Sequence, residues 1–475
     1  MSKIQTIFKN MSWLVISQII ASVCGFVWTI IMARYLGVNN YGIFGFAVSI
    51  TGILGIIDDF GISSHIVRHI ATDNKSAPKY LGNAIPLKII FALINLGITF
   101  IILILFNINE FTIFITLLFS LEMIFKSYIG TFNGTFQAFE IGKYQGIGIT
   151  LMNTTTLLFI LISIYADMGL LGITISYIVA NLLTFIYEYY VLKKHVVKPK
   201  FELDIEFCKK ITMLSIPFAV TGVLYSIYYS IDLVMLTKLV GDYATGIYNA
   251  TYKLISVLTL FYSVYTAVIF PVMSKFYKND KKLLVISFEK SVKYLMLVMI
   301  PLAIGTMFYS LDIIQLIYGH QYDAASSVLS ILIWTVCLLF IGGAANTLLN
   351  ASHRELTVTK IYAIAAVFNI VLNFILIPYF SYNGAAITTV LSDVLIVALQ
   401  TYVIYRIGHR VNKKLYLDLI KIIIGSAVLG IALYILNLNM WVAIPVGIII
   451  YLAVVYVLKV FDKDDKYVIK EILGK

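Results

Sequence analysis

The residues of this chain best placed to do chemistry are polar and ionisable side chains set inside apolar runs, where a charge is costly unless it faces water or a partner. Tyr225, Tyr228, Tyr229 and Asp232 fall at i, i+3, i+4 and i+7, one face of a helix. Asn249, Lys253 and Ser256 form a similar stripe in the next apolar run. Glu122 and Lys126, at i and i+4, can pair on their own helix. Tyr177, Asn181, Thr184 and Glu188 make a further stripe, and so do Thr389, Asp393 and Gln400. Stripes of this kind suit a hydrophilic path through apolar surroundings, with Glu122, Asp232 or Asp393 as carboxylates able to titrate. Intramembrane polar residues also join helices by hydrogen bonds, so both readings stand, and charge weighs toward the cavity for Asp232, Lys253 and Asp393.

Other chemistries find little support. The phosphate-cradling pattern G-x-x-x-x-G-K-[ST] is absent: Ile141-Gly142-Lys143-Tyr144 lacks its first glycine and its hydroxyl. Asp462-Lys463-Asp464 has the form of a D-x-D metal motif but sits in a charged tail. His65 and His69 have helical spacing for a metal without a third ligand nearby. Cys24, Cys208 and Cys337 are too scattered for a disulfide framework or a metal knuckle. The expectation is a protein that is not an enzyme and has no metal site or cofactor.

The elements that must position the stripes are membrane helices. Of 475 residues, 60% are hydrophobic and only 12% charged, which excludes an ordinary soluble domain. Apolar runs of roughly 20 residues predict an all-α polytopic membrane protein with about fourteen spans. The net charge of +11 is spread by loop rather than gathered on one face, which argues against nucleic acid. Basic residues such as Lys75 and Lys79, Lys193 and Lys194, Lys281 and Lys282, and Arg410 and Lys413 recur in alternate connections, and Lys463 and Lys466 lie in the tail. The intervening turns carry no Lys or Arg, apart from Arg34 and Lys238 at the outer helix ends. By the positive-inside rule both termini are expected in the cytoplasm of a multi-pass cell-membrane protein. The short outer turns leave no room for an external active site.

The chain also repeats itself. Arg34 falls on Lys238, Gly37 on Gly241 and Gly42-Ile43-Phe44 on Gly246-Ile247-Tyr248, so each copy reads as a helix end, a glycine-containing turn and a new helix start. A second echo places Gly172 to Ala180 on Gly384 to Ser392. The predicted organisation is a six-helix lobe over 1–200, a second over 201–410, and two additional helices with a tail over 411–475. The copies differ chemically, since Trp28 and Ser49 fall on Asp232 and Lys253. Asp232 and Lys253 are also expected at similar depths on adjacent antiparallel helices, where they could pair.

The stretches ARYLGVNNYGIFGFAVSITGIL from Ala33, SIPFAVTGVLYSIYYSIDLVMLTKL from Ser215 and LLNASHRELTVTKIYAIAAVFN from Leu348 resemble Wzx-type polysaccharide-biosynthesis flippases. These belong to the multidrug/oligosaccharidyl-lipid/polysaccharide exporter superfamily, and the resemblance covers about the first 410 residues. It implies two six-helix lobes in a V-shaped, MATE-like arrangement that translocate a polyprenyl-(pyro)phosphate-linked oligosaccharide from the cytoplasmic to the outer leaflet by alternating access. It further implies that cationic cavity residues receive the anionic head group, with Arg34, Arg68, Lys126 and Lys253 as the matching positions. Arg34 is also readable as an interfacial anchor. The implied partners are the lipid-linked oligosaccharide and membrane lipid, with H+ or Na+ as candidate coupling ions and glycan-assembly proteins as candidate associates. The alternative within the superfamily is a cation-coupled drug or small-molecule antiporter.

Overall fold

The computed structural model describes residues 3–200 and 202–461. The Asp462-Lys463-Asp464 motif and the basic tail residues beyond it lie outside the described residues. All regular structure among the described residues is helical. In chain order the helices are α1 (Lys3–Leu54), α2 (Ile56–Asp59), α3 (Ile62–Thr72), α4 (Ala77–Leu105), α5 (Glu110–Ala138), α6 (Gly142–Tyr165), α7 (Gly169–Val191), α8 (Ile205–Leu239), α9 (Asp242–Asn279), α10 (Lys281–Phe308), α11 (Ser310–Tyr318), α12 (Ala325–Ala351), α13 (Glu355–Arg406), α14 (Lys413–Leu436) and α15 (Met440–Val457). A π-helical turn, Leu192–Val196, follows α7.

Among the described residues, eleven helices are long and apolar enough to cross a membrane, or twelve with α9, which is bent by 44°. The apolar runs predict about fourteen, and two long rods account for much of the difference. Helices α1 and α13 each have 52 residues, which at 1.5 Å per residue would be about 78 Å, far beyond a hydrocarbon core of about 30 Å. Each is broken once, α1 at Gly37 (φ 68, ψ 173) and α13 at Ser381 (φ 51, ψ −134). The internal repeat explains both breaks. Gly37 corresponds to Gly241 (φ 119), which separates α8 from α9, and Ser381 corresponds to Gly169 (φ 60), which opens α7. A turn that needs left-handed backbone therefore recurs at matched positions, as the repeated glycine turn predicts.

Helix starts are set by side chains that satisfy otherwise unpaired backbone N–H groups. Asn109 accepts from Thr112 N at 2.8 Å, Asp204 from Phe207 N at 3.0 Å, Asn412 from Lys414 N at 2.9 Å and Asn439 from Trp441 N at 3.0 Å. Large apolar side chains such as Leu93, Ile101, Leu105, Val367 and Ile449 point outward, as expected where the surrounding solvent is lipid.

The chain packs as two compact units, Met1–Asn249 and Ala250–Lys475. In the first, α1 packs on α6 and α8, and α5 packs on α3, α4 and α7. Ile62, Ile66 and Ile70, at helical spacing on α3, meet Ala77 and Ala84 of α4 and Ile211 of α8. Tyr128, Phe132 and Phe136 of α5 close a second core with Val191 and Leu192. In the second unit α12 packs on α10 and α13, while α14 packs on α10 and α15. Between α10 and α14, Lys293 Nζ lies 2.9 Å from Asp418 Oδ2, with both side chains almost fully buried.

His409, between α13 and α14 and outside the apolar spans, is 6% exposed. Burial first, and the nearby Lys281 charge second, hold its imidazole below the ordinary value of 6.5. The unfolded chain therefore binds a proton that the folded chain refuses. Stability is full above pH 6.5 and declines as pH falls below it toward the folded value. His409→Gln is expected to flatten that part of the acid slope in thermal-melting curves taken against pH. A slope identical to the unsubstituted protein would assign the loss to other groups.

Candidate functional site

The best-formed polar centre lies in the first unit, where α2 ends. Helix α2 is only four residues long and is stopped by Phe60 (φ 47) and Gly61 (φ 75). This break carries Asp58 and Asp59 into the packed interior. Asp58 is 1% exposed, and Asn95 Nδ2 of α4 donates to both its carboxylate oxygens at 3.0 Å. Lys88, on the same helix, is 1% exposed. Its ammonium donates to Asp59 Oδ1 at 2.6 Å, Ser127 O at 2.7 Å and Ser127 Oγ at 2.9 Å, with Ser63 Oγ a more distant acceptor at 3.3 Å. Ser127 Oγ in turn donates to Asp58 O at 3.0 Å, and Ser63 Oγ donates to Asp59. No single-helix stripe displays this network, because its members sit on α2, α3, α4 and α5. The signal present in the sequence was simpler: Asp58, Asp59 and Lys88 are ionisable residues inside apolar runs.

A second centre joins residues the stripes did single out. Glu122 is 2% exposed and binds Lys126 Nζ at 2.8 Å, the i, i+4 pair expected on α5. Asn181 Nδ2 of α7 donates to the same Glu122 oxygen at 2.9 Å. Beneath this pair, Tyr177 meets Trp28, Phe44 and Phe119 with ring centroids 6.1, 5.8 and 5.7 Å apart. The Lys126 side chain is 41% exposed, so a buried carboxylate anchors a cation whose remaining donors reach outward. Such an arrangement can present positive charge to an anionic group.

On α8, Tyr225 and Tyr229 pack with ring centroids 4.5 Å apart, and Tyr228 meets Tyr229 edge-on at 5.2 Å. Buried Asp232 accepts from Tyr248 Oη at 2.6 Å across the Gly241 turn. Asn249, 1% exposed, donates to Tyr41 O at 3.5 Å and lies against Gly45. Arg34 and Arg68 are exposed on α1 and α3. Lys253 on α9 and Asp393 on α13 are half-buried and belong to the second unit. The His65 and His69 rings stand 4.2 Å apart. No group of three or more His, Cys, Asp or Glu side chains suited to a metal occurs among the described residues.

Two broken helical rods, glycine turns matched by an internal repeat and buried ion pairs in an apolar fold prompt comparison with known membrane proteins. Residues 7–277 match the family described as polysaccharide biosynthesis protein. The chain belongs to that family. Residues 217–375 of this polysaccharide biosynthesis family member also match the family described as MatE. It is 26% identical over 403 residues to the capsular polysaccharide biosynthesis protein CapF of Staphylococcus aureus, covering 83% of this chain and 98% of CapF. A protein of Haloferax volcanii named "Probable low-salt glycan biosynthesis flippase Agl15" is 25% identical over 386 residues, covering 80% of this chain and 79% of the relative. The fold is that of the lipid II flippase MurJ in an inward closed conformation, with a TM-score of 0.78, 17% identity, and 94% and 98% of the two chains covered. This family member is thus an all-helical, multi-span membrane protein of the exporter superfamily that the sequence motifs resemble.

Proposed function

We propose that this protein is a flippase that carries a lipid-linked oligosaccharide from the cytoplasmic to the outer leaflet of the cell membrane by alternating access, for synthesis of a surface glycan. The observation that carries the reading is similarity to a named glycan-biosynthesis flippase over most of both chains. The physics fits. Sugar hydroxyls and a (pyro)phosphate cannot cross hydrocarbon cheaply, so a protein must supply a polar path while the lipid tail stays in the bilayer. In this reading both termini are cytoplasmic, in keeping with the alternation of basic loops. The protein performs transport and no catalytic step. Arg34, Arg68, Lys126 and Lys253 are the head-group candidates. The exposure of Arg34 and Arg68 and the outward reach of Lys126 from buried Glu122 support a role in meeting an anion.

Deletion of the protein followed by analysis of lipid-linked oligosaccharide tests the reading. Accumulation of the oligosaccharide on the cytoplasmic face is expected, with export restored by the intact chain. Unchanged pools together with lost tolerance to cationic drugs would replace the flippase with an antiporter.

A further inference from the structure

Glu188, in the last turn of α7, is fully buried, and neither of its carboxyl oxygens has a hydrogen-bond partner among the described residues. The Asn133 side chain of α5 lies against the carboxyl without a hydrogen bond of normal geometry. On α6, a Cβ added at Gly148 would collide with Glu188 Oε1. Gln145, one turn before Gly148 on the same face, and Asn133 each keep a buried carbonyl oxygen without a partner. The titratable neighbours are Tyr187 on the same helix and Tyr144 on α6. Tyr144 stacks on exposed His195 of the π-helical turn, with centroids 5.8 Å apart, and such turns are frequent at functional sites.

The internal repeat decides how this carboxyl should be read. In the register that places Gly169 on Ser381 and Gly172 on Gly384, Glu188 falls on Gln400. Gln400 is also fully buried, and neither its Nε2 nor its Oε1 has a partner. It too faces a glycine, with Oε1 3.3 Å from the position of a Cβ at Gly342 of α12. Repeat-equivalent positions thus hold a permanently neutral carboxamide in one copy and a carboxyl in the other, each buried against a glycine of a neighbouring helix, though the two glycines are not themselves repeat equivalents. A protonated carboxyl has nearly the shape of a carboxamide and carries no charge. A bare carboxylate without donors is disfavoured in such a place.

We propose that Glu188 is a proton-binding site: the buried carboxyl carries H+, and its release requires the contacts of α5 and α6 around it to open. The step forms or breaks one O–H bond, with the proton exchanged with water at the His195 end. A metal cation would need a coordination shell, whereas the space opposite Gly148 is filled by the carboxyl itself. Resting on the transporter reading, this makes Glu188 a coupling group in place of Glu122 and Asp232, which are held by Lys126, Asn181 and Tyr248.

Infrared spectroscopy of the purified full-length protein in lipid nanodiscs tests the site without any glycan, so its outcome is independent of the flippase reading. The expected result is a carboxylic-acid C=O band at neutral pH that Glu188→Gln removes. Gly148→Ala, which pushes a methyl onto the carboxyl, should shift or remove the same band and guards against a misfolded Glu188→Gln. Identical spectra for the unsubstituted protein and folded Glu188→Gln would overturn the proposal. So would loss of the band on adding Na+ at constant pH, which would make this a sodium site.

Discussion

Replacing Asp59 by Asn is expected to lower the stability of the folded protein by about 3–5 kcal/mol, and to do so more severely than replacing Lys88 by Met. The two partners differ in burial: the Lys88 side chain is 1% exposed and that of Asp59 29%. Asp59→Asn leaves an ammonium buried with its ion partner gone. Lys88→Met leaves a carboxylate that is only partly enclosed by protein and that Ser63 still binds, so its cost should fall nearer about 1–3 kcal/mol. Met also keeps most of the apolar stem of Lys88 in place. The double variant leaves neither ion orphaned, and it should be more stable than the sum of the single losses predicts by about 0.5–3 kcal/mol. Denaturation of purified protein in one fixed detergent measures all four forms. Additive losses, or a Lys88→Met variant weaker than Asp59→Asn, would show that the pair is not the coupled unit its 2.6 Å contact describes.

How much could be read from the sequence depended on whether the partners share a helix. Glu122 and Lys126 are one turn apart, so their pairing follows from spacing alone. The breaks at Gly37 and Gly241 follow from a glycine repeated in an equivalent context. Lys88 and Asp59 stand on separate helices, and no periodicity links them. Asp58 and Asp59 were hidden further because they occupy a four-residue helix too short to display a stripe. Asp232 was recognised as a buried acid, but its partner Tyr248 lies beyond the Gly241 turn. The sequence places separate spans on either side of Gly37 and Ser381, and there the structure has rods of 52 residues each broken at a single residue, so the number of spans depends on whether a one-residue break divides a helix.

Adding a single methyl at Gly42 should damage the protein more than the same change at Gly52 of the same helix. A Cβ at Gly42 would collide with the carbonyl of Asp242, and a Cβ at Gly246 with the carbonyl of Val38. These contacts are images of one another, because the repeat places Val38 on Asp242 and Gly42 on Gly246. Gly45 meets Asn249, its own equivalent. Within the first unit, the two copies of the turn therefore pack reciprocally about a local two-fold, and backbone lies against backbone with no flexible side chain to yield. Gly42→Ala and Gly246→Ala are each expected to cost about 1–3 kcal/mol through overpacking, and to lower glycan export at matched protein levels if this contact must hold its geometry during transport. Gly52→Ala is the internal control, since a Cβ there meets nothing within 4 Å; replacing a mid-helix glycine by alanine should leave stability unchanged or slightly raised. Equal melting behaviour for Gly42→Ala and Gly52→Ala would mean that the backbones separate freely. The repeated turn would then be a relic of duplication rather than a contact the fold depends on.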